Sequence, residues 1–255
     1  MFNPQAPLPQ LANRTLLLRH SLAAAFKAHR RSLPAAPQSL PLLIDSLQHG
    51  FDALLGRAGA REALSAVRDR LFHAAGREAD AERCWQESVA TAVFAARLAK
   101  LLDSAPDPAT KPEPVSIAAA ACGGLLHLAG EALALRILAH VEVEFRLKMD
   151  GASRREWCTS HGVELIELLV HAWPLPPACS ACVLGWRRFG EFAAISSEST
   201  AVYLGRLFAI ELLHPDWCVP GALAESLATI GLPTAALEEV RAQATAVHEL
   251  LRALA

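Results

Sequence analysis

The sequence predicts an all-α protein, and three observations carry this reading. Alanine and leucine, both strong helix formers, dominate a chain of 255 residues that is 53% hydrophobic and holds one tyrosine and nine phenylalanines. Long segments bounded by prolines repeat apolar residues at three- and four-residue spacing. No run shows a convincing strand alternation. The length suffices for a sizeable core, in one large domain or a main domain with a smaller lobe.

The first ten residues hold three prolines and are expected to form an arm without regular structure. A helix should follow from about Leu11 to Arg31. The run SLPAAPQSLP (32–41) ends it, because proline removes a donor and restricts the residue before it. Helices are expected at about 41–56 and 60–75, with a turn around Arg57 between them and Gly76 closing the second.

The clearest helix spans about 80–102. Asp80 and Glu82 suit the positive end of its dipole. Trp85, Val89, Ala92, Ala96 and Ala99 share one face, and Phe94 and Leu98 widen the apolar surface until only a narrow polar face remains. Glu87 stands on the covered shoulder, where a carboxylate needs a partner or a water-filled pocket. The segment DSAPDPATKPEPV, with four prolines, is a loop. The next helix starts near Val115 and runs as far as Lys148, with a break near Gly123-Gly124 or Gly130 if it is not continuous. A helix near 153–173 follows, then the proline turn 174–177, a helix to about Gly190, and another at about 197–213. A last helix begins after Pro233 and runs to the C-terminus.

The charge balance, 24 Lys and Arg against 26 Asp and Glu, gives no field for a nucleic-acid backbone. The short basic run Lys27–Arg31 reads as a helix end, with an anion or membrane contact as the alternative. The uncharged stretches Val115–Gly130 and Leu168–Trp186 are respectively too short and too rich in proline for stable membrane insertion. MFNPQAPLPQ has neither a basic start nor an apolar stretch, so no export leader is visible and the cytoplasm is expected. There, six cysteines at 84, 122, 158, 179, 182 and 218 act as small buried hydrophobes. Cys179 and Cys182 form a Cys-x-x-Cys pair, but no second pair completes a zinc site.

Four segments carry a family resemblance. CWQESVATAVFAARLA (84–99) resembles the FWxHSxxxAxxARxLA helix of the HDOD family, the HD-related output domains. GLLHLAGEALALRIL (124–138) is similar to its GLLHDIGKLLL segment, SHGVELIELLVHAWPLP (160–176) to DHxxxGxxLLxxWxLP, and STAVYLGRLFAIEL (199–212) to xxLADRLAxxL. The resemblance implies an HD-like multi-helix bundle with an N-terminal helical lobe. Its parts would be an arm and helix (1–33), a helical lobe (34–80) and the HDOD-like core with C-terminal helices (81–255). The five-helix core is expected within about 80–215.

In catalytic HD proteins a first histidine, a His-Asp doublet and a late aspartate hold the metal. By the resemblance those positions fall here on Glu87, on His127-Leu128 and on about Gly205, and Glu131 takes the place of a lysine common after the doublet. An isobutyl group cannot share a cation with an imidazole, so only His127 survives, with Glu87 as a conceivable oxygen donor. His161 stands where the family often has a histidine. It pairs at helical spacing with Glu164, as Glu167 does with His171, without forming His-Glu-x-x-His. The expectation is a non-enzymatic bacterial signalling protein without catalytic or metal residues and without a cofactor. It would act by binding an unidentified signalling protein. The alternatives are a residual metal-dependent phosphohydrolase, or a nucleotide or small-ligand sensor built on the vestigial pocket of Glu87, His127, Leu128, Glu131 and Gly205. In either case Glu87 and His127 should lie within about 15 Å of each other, a distance that the resemblance implies and periodicity alone cannot supply.

Overall fold

Helices form where the apolar spacing requires them, and their ends follow local chemistry. The computed structural model describes residues 33–49, 56–104, 114–144, 148–189 and 195–254, with Ala24, Lys27, Ala28, Leu54 and Arg146 besides. The expected arm and first helix, with the basic run at 27–31, lie outside the described residues apart from three of those positions. Eleven α-helices and no strand are found among the described residues: α1 (Leu40–Leu47), α2 (Ala58–Leu71), α3 (Glu78–Asp103), α4 (Ile117–Leu126), α5 (Ala129–Glu144), α6 (Gly151–Ala172), α7 (Pro177–Gly185), α8 (Ser197–Leu213), α9 (Ala222–Thr229), α10 (Thr234–Arg241) and α11 (Ala244–Leu254). The all-α reading holds.

Side-chain caps start three of these helices. Ser116 accepts from the Ala119 amide, Asp150 from the amides of Ala152 and Ser153, and Ser196 from that of Ser199. Glu78 and Asp80 stand in the first turn of α3 and Lys100 in the last, both favourable to the helix dipole.

α3 is the axis of the fold. Its middle is buried on every side, by α8 along one flank and α4 along another, and α5 also touches it. α6 covers α5, α7 covers α4, and α1 bridges α2 and α4. One continuous hydrophobic core runs from Leu40 to Leu250, so α1 and α2 share it with the later helices. At the C-terminal end, Arg68 on α2 donates to the Leu254 carbonyl and to Glu82 on α3, and Arg97 on α3 pairs with Glu239 on α10.

Two details depart from the sequence reading, and the break it allowed near Gly130 is present. The long segment after Val115 breaks at His127-Leu128, between α4 and α5, and the glycines to either side serve close packing. An 18-residue window within 117–144 is apolar enough to cross a membrane by composition, with a mean hydropathy of 1.5, yet 89% of it is buried inside the protein. The C-terminal helix is two helices: the amides of Ala242 and Gln243 fold back onto Glu238 and Val240 and turn the chain between α10 and α11. α9 has no counterpart in the sequence reading. It sits between Gly221 and Gly231, both at positive φ, which glycine adopts without a steric penalty.

Candidate functional site

The site forms where α3, α4 and α8 cross. A Cβ built on Gly124 would lie 2.6 Å from the Ala92 Cα, and one built on Gly205 would lie 2.8 Å from the Ala95 nitrogen and 2.9 Å from the Thr91 oxygen. Two helices therefore touch the backbone of α3 directly. One turn before this crossing α3 presents Glu87, just after it α4 ends on His127, and Arg206 follows Gly205 on α8.

These three side chains meet. Arg206 Nε donates to Glu87 Oε1 at 2.9 Å, and His127 Nε2 stands 3.9 Å from the same oxygen. Glu87 is 2% exposed and His127 is 1% exposed. His127 Nδ1 donates to the Gly124 carbonyl at 2.6 Å, which fixes the ring. Its Nε2 is buried and has no hydrogen-bond partner. Trp186 closes the other side: its ring meets the His127 ring edge-on at 5.2 Å, and the guanidinium groups of Arg187 and Arg206 lie over it at 4.9 and 5.1 Å.

The charges follow from this packing. Burial pushes the Glu87 carboxyl up, but a proton on His127 Nε2, where the ring carries one, and the Arg206 guanidinium outweigh burial and hold it at about 2. Arg206 is the permanent cation of the two. Burial pushes His127 down, more than Glu87 pulls it up, so the ring is neutral at pH 7 and Nε2 keeps a lone pair. Both shifts have the same sign for stability. With its pKa depressed from the ordinary 4.5 to about 2, Glu87 adds stability that is complete above 4.5 and lost as pH falls through 2. That contribution is on the order of 3 kcal/mol. His127 adds a loss that begins as pH drops below the ordinary 6.5. Urea midpoints measured from pH 7 to pH 3 should therefore fall steadily in the wild type, and Glu87→Gln should flatten the acid limb below pH 4.5. Parallel curves for the two proteins would refute this assignment.

The residues here do not fit a metal. Where a cation would sit against Glu87, the Arg206 guanidinium already sits. Leu128, 2% exposed, offers no donor, and at Gly205 a side chain of any size would strike α3. One imidazole nitrogen and one neutralised carboxylate remain, and three protein ligands are usual. Among the described residues no three His, Cys, Asp or Glu side chains gather to hold an ion.

A cavity of about 350 Å³ opens above the cluster, with Glu87, Leu128 and Glu131 on its wall beside Arg83, Arg154 and Arg206. His127 is not on that wall; it lies beneath, against Trp186. Glu131 reaches Arg187 at 2.7 Å. His161 is also off the wall: its Nδ1 donates to the Trp157 carbonyl at 3.0 Å and its ring stacks on that tryptophan at 4.3 Å. His171 Nδ1 donates to the backbone carbonyl of Glu167, so that pair does not present a carboxylate to an imidazole as a metal site would. The cysteines are free, and five of the six are buried.

The family comparison decides what this bundle is. The HDOD domain matches residues 45–185, more than half of the chain. The chain belongs to the HDOD family. It thus carries an HD-related domain of the kind associated with signalling. No curated protein and no solved structure matches it at a significant level.

In this HDOD protein the resemblance had pointed to Glu87 and His127, and the fold brings them together. It had also pointed to Gly205, which lies in the helix crossing and contributes no group to the cavity. Arg206, Trp186 and Arg187 are not among the site positions that the resemblance points to. A signal for Arg206 was present, since the family pattern xxLADRLAxxL carries an arginine at that step.

Proposed function

We propose that this HDOD protein is a non-enzymatic regulatory module that acts in the cytoplasm by associating with another macromolecule of a signalling system. One observation carries the non-enzymatic part: Arg206 holds Glu87 at 2.9 Å, while Leu128 fills the place of the doublet's carboxylate. Arg206 occupies the Glu87 carboxylate and the free His127 Nε2 is buried beneath the cavity wall, so a metal or an activated water lacks the set of donors it would need. Membership of a signalling-associated family supports the regulatory part, and six free thiols suit a reducing compartment.

The test uses native protein never exposed to chelator. Elemental analysis should find no Mn, Fe, Zn, Ni or Mg near stoichiometry, and phosphomonoesters and cyclic dinucleotides should not be hydrolysed. Restoring the doublet by Leu128→Asp should lower stability by about 2 kcal/mol, because a carboxylate is buried beside Glu87. A denaturant melt of that variant should be the same with and without Mn²⁺. Metal-dependent stabilisation of Leu128→Asp would overturn the reading. So would hydrolysis by wild type that Glu87→Ala or His127→Ala abolishes.

A further inference from the structure

Three buried thiols gather where α4 packs against α7, and the Glu87 cluster uses none of them. The close approach starts at a glycine. A Cβ built on Gly123 would lie 2.7 Å from the Cys182 Cβ, so the two helices meet there with little between their backbones. Cys122 stands beside that glycine on α4, and Cys179 stands one turn before Cys182 on α7. The Cys122 thiol donates to the Cys179 sulfur, so these two sulfurs are neighbours across the interface. A disulfide needs its Cα atoms about 4.4–6.8 Å apart, and packing through a glycine draws helix backbones together in the way that spacing requires. The shared proton divides the pair. That bond, with burial, holds Cys122 well above the ordinary thiol range. The same bond brings Cys179 below it, against burial and with help from its own amide in the first turn of α7. Cys84 and Cys158, by contrast, are pushed up to about 12 by burial and stay thiols. α7 is nine residues long, has no side-chain cap, and exposes Pro177, Ala178 and Ala181 around Cys179. Opening of its first turn gives a small oxidant access to that sulfur.

We infer that Cys122 and Cys179 form a reversible disulfide when the protein meets hydrogen peroxide, and that the bridge clamps α7 onto α4. The Cys179 thiolate attacks one peroxide oxygen, the O–O bond breaks, hydroxide leaves, and a sulfenic acid remains on Cys179. The Cys122 sulfur then attacks the Cys179 sulfur and the S–O bond breaks. The departing hydroxyl takes the Cys122 proton and leaves as water, while the first hydroxide takes up the proton that Cys179 had released. Two thiols give up two electrons, and one peroxide becomes two waters. A dithiol reductant reverses the step by exchange. Disulfides in a reducing compartment are typically transient and redox-sensing, which suits a pair that rests as free thiols. α7 leads directly into Trp186 and Arg187, and α4 ends on His127, so the clamp joins the two elements that enclose the imidazole. The switch does not depend on the non-catalytic reading, because neither thiol belongs to the Glu87 cluster.

The reduced full chain is treated with a small excess of hydrogen peroxide, the remaining thiols are blocked with iodoacetamide, and the digest is mapped by mass spectrometry. Two of the six thiols should disappear, and peptides joined through Cys122 and Cys179 should be the main cross-link. Dithiothreitol should restore both thiols. The oxidised protein should melt ~5 °C or more above the reduced one, because the bridge closes a long loop in the unfolded chain and fits the native packing. Cys122→Ala and Cys179→Ala should each abolish the bridge, whereas Cys218→Ala, outside the cluster and only partly buried, should leave it as in wild type. The wild-type map decides the matter without relying on the fold of any variant. A main cross-link between Cys179 and Cys182 or between Cys84 and Cys158, oxidation of Cys218 alone, or six intact thiols at a peroxide dose that oxidises glutathione would overturn the inference. So would an oxidised protein that melts at or below the reduced one.

Discussion

Replacing Gly130 by alanine is expected to destabilise the protein by about 3 kcal/mol or more. An added Cβ at this position would lie 2.0 Å from the backbone oxygen of Gly162 and 2.9 Å from its carbonyl carbon. From the other helix, a Cβ on Gly162 would lie 2.9 Å from the Glu131 nitrogen. The obstacle on each side is main chain, which cannot rotate out of the way as a flexible side chain can. α5 and α6 would have to part, and the Leu165, Ile166 and Leu169 face of α6 would part from α5 with them. The guanidinium denaturation midpoint reports the loss, with an unchanged slope if the unfolded state is the same. Gly56→Ala is the control, because nothing lies within 4 Å of its added Cβ. A wild-type midpoint for Gly130→Ala would mean that the two helices do not touch there.

Arg206→Ala should cost about 3 kcal/mol, near the lower end for a broken buried pair because the guanidinium side is 32% exposed against 3% for the carboxylate. The loss is chiefly that of a buried carboxylate left beside a neutral imidazole. Adding Glu87→Gln to that variant removes the stranded charge and should recover roughly half of the lost stability, a non-additivity that a double-mutant cycle measures. Strict additivity would show that the two side chains do not depend on each other.

The parts of the fold written in local chemistry were legible. The helix from Ser197 to Leu213 could be read from its periodicity, and α3 from its acidic start and apolar girth. The turn at 242–243 could not, because RAQAT contains neither glycine nor proline and the chain bends only to lay α10 and α11 on α3. α9 was overlooked although glycines bracket it. In the site, Glu87 and His127 were legible through resemblance, as Leu128 was through the missing carboxylate. The pairing of Arg206 with Glu87 was not, because 119 positions separate them and an arginine on a helix is ordinarily solvated. Periodicity says which face is covered; it does not say which distant charge arrives there.

The contact of Gly205 with α3 has a consequence for how such a chain can change over time. A carboxylate at that position would have to displace the backbone from Thr91 to Ala95 before it could serve any ion. Regaining the ligand set therefore needs more than point substitutions at 128 and 205: the spacing of two whole helices must widen, and Arg206 must let go of Glu87 in the same lineage. Each intermediate loses stability before any of them gains chemistry, and a protein with little stability to spare cannot survive many such steps. The close fit that steadies this bundle thus acts as a ratchet, with drift free to alter its surface while a carboxylate at the helix crossing stays out of reach.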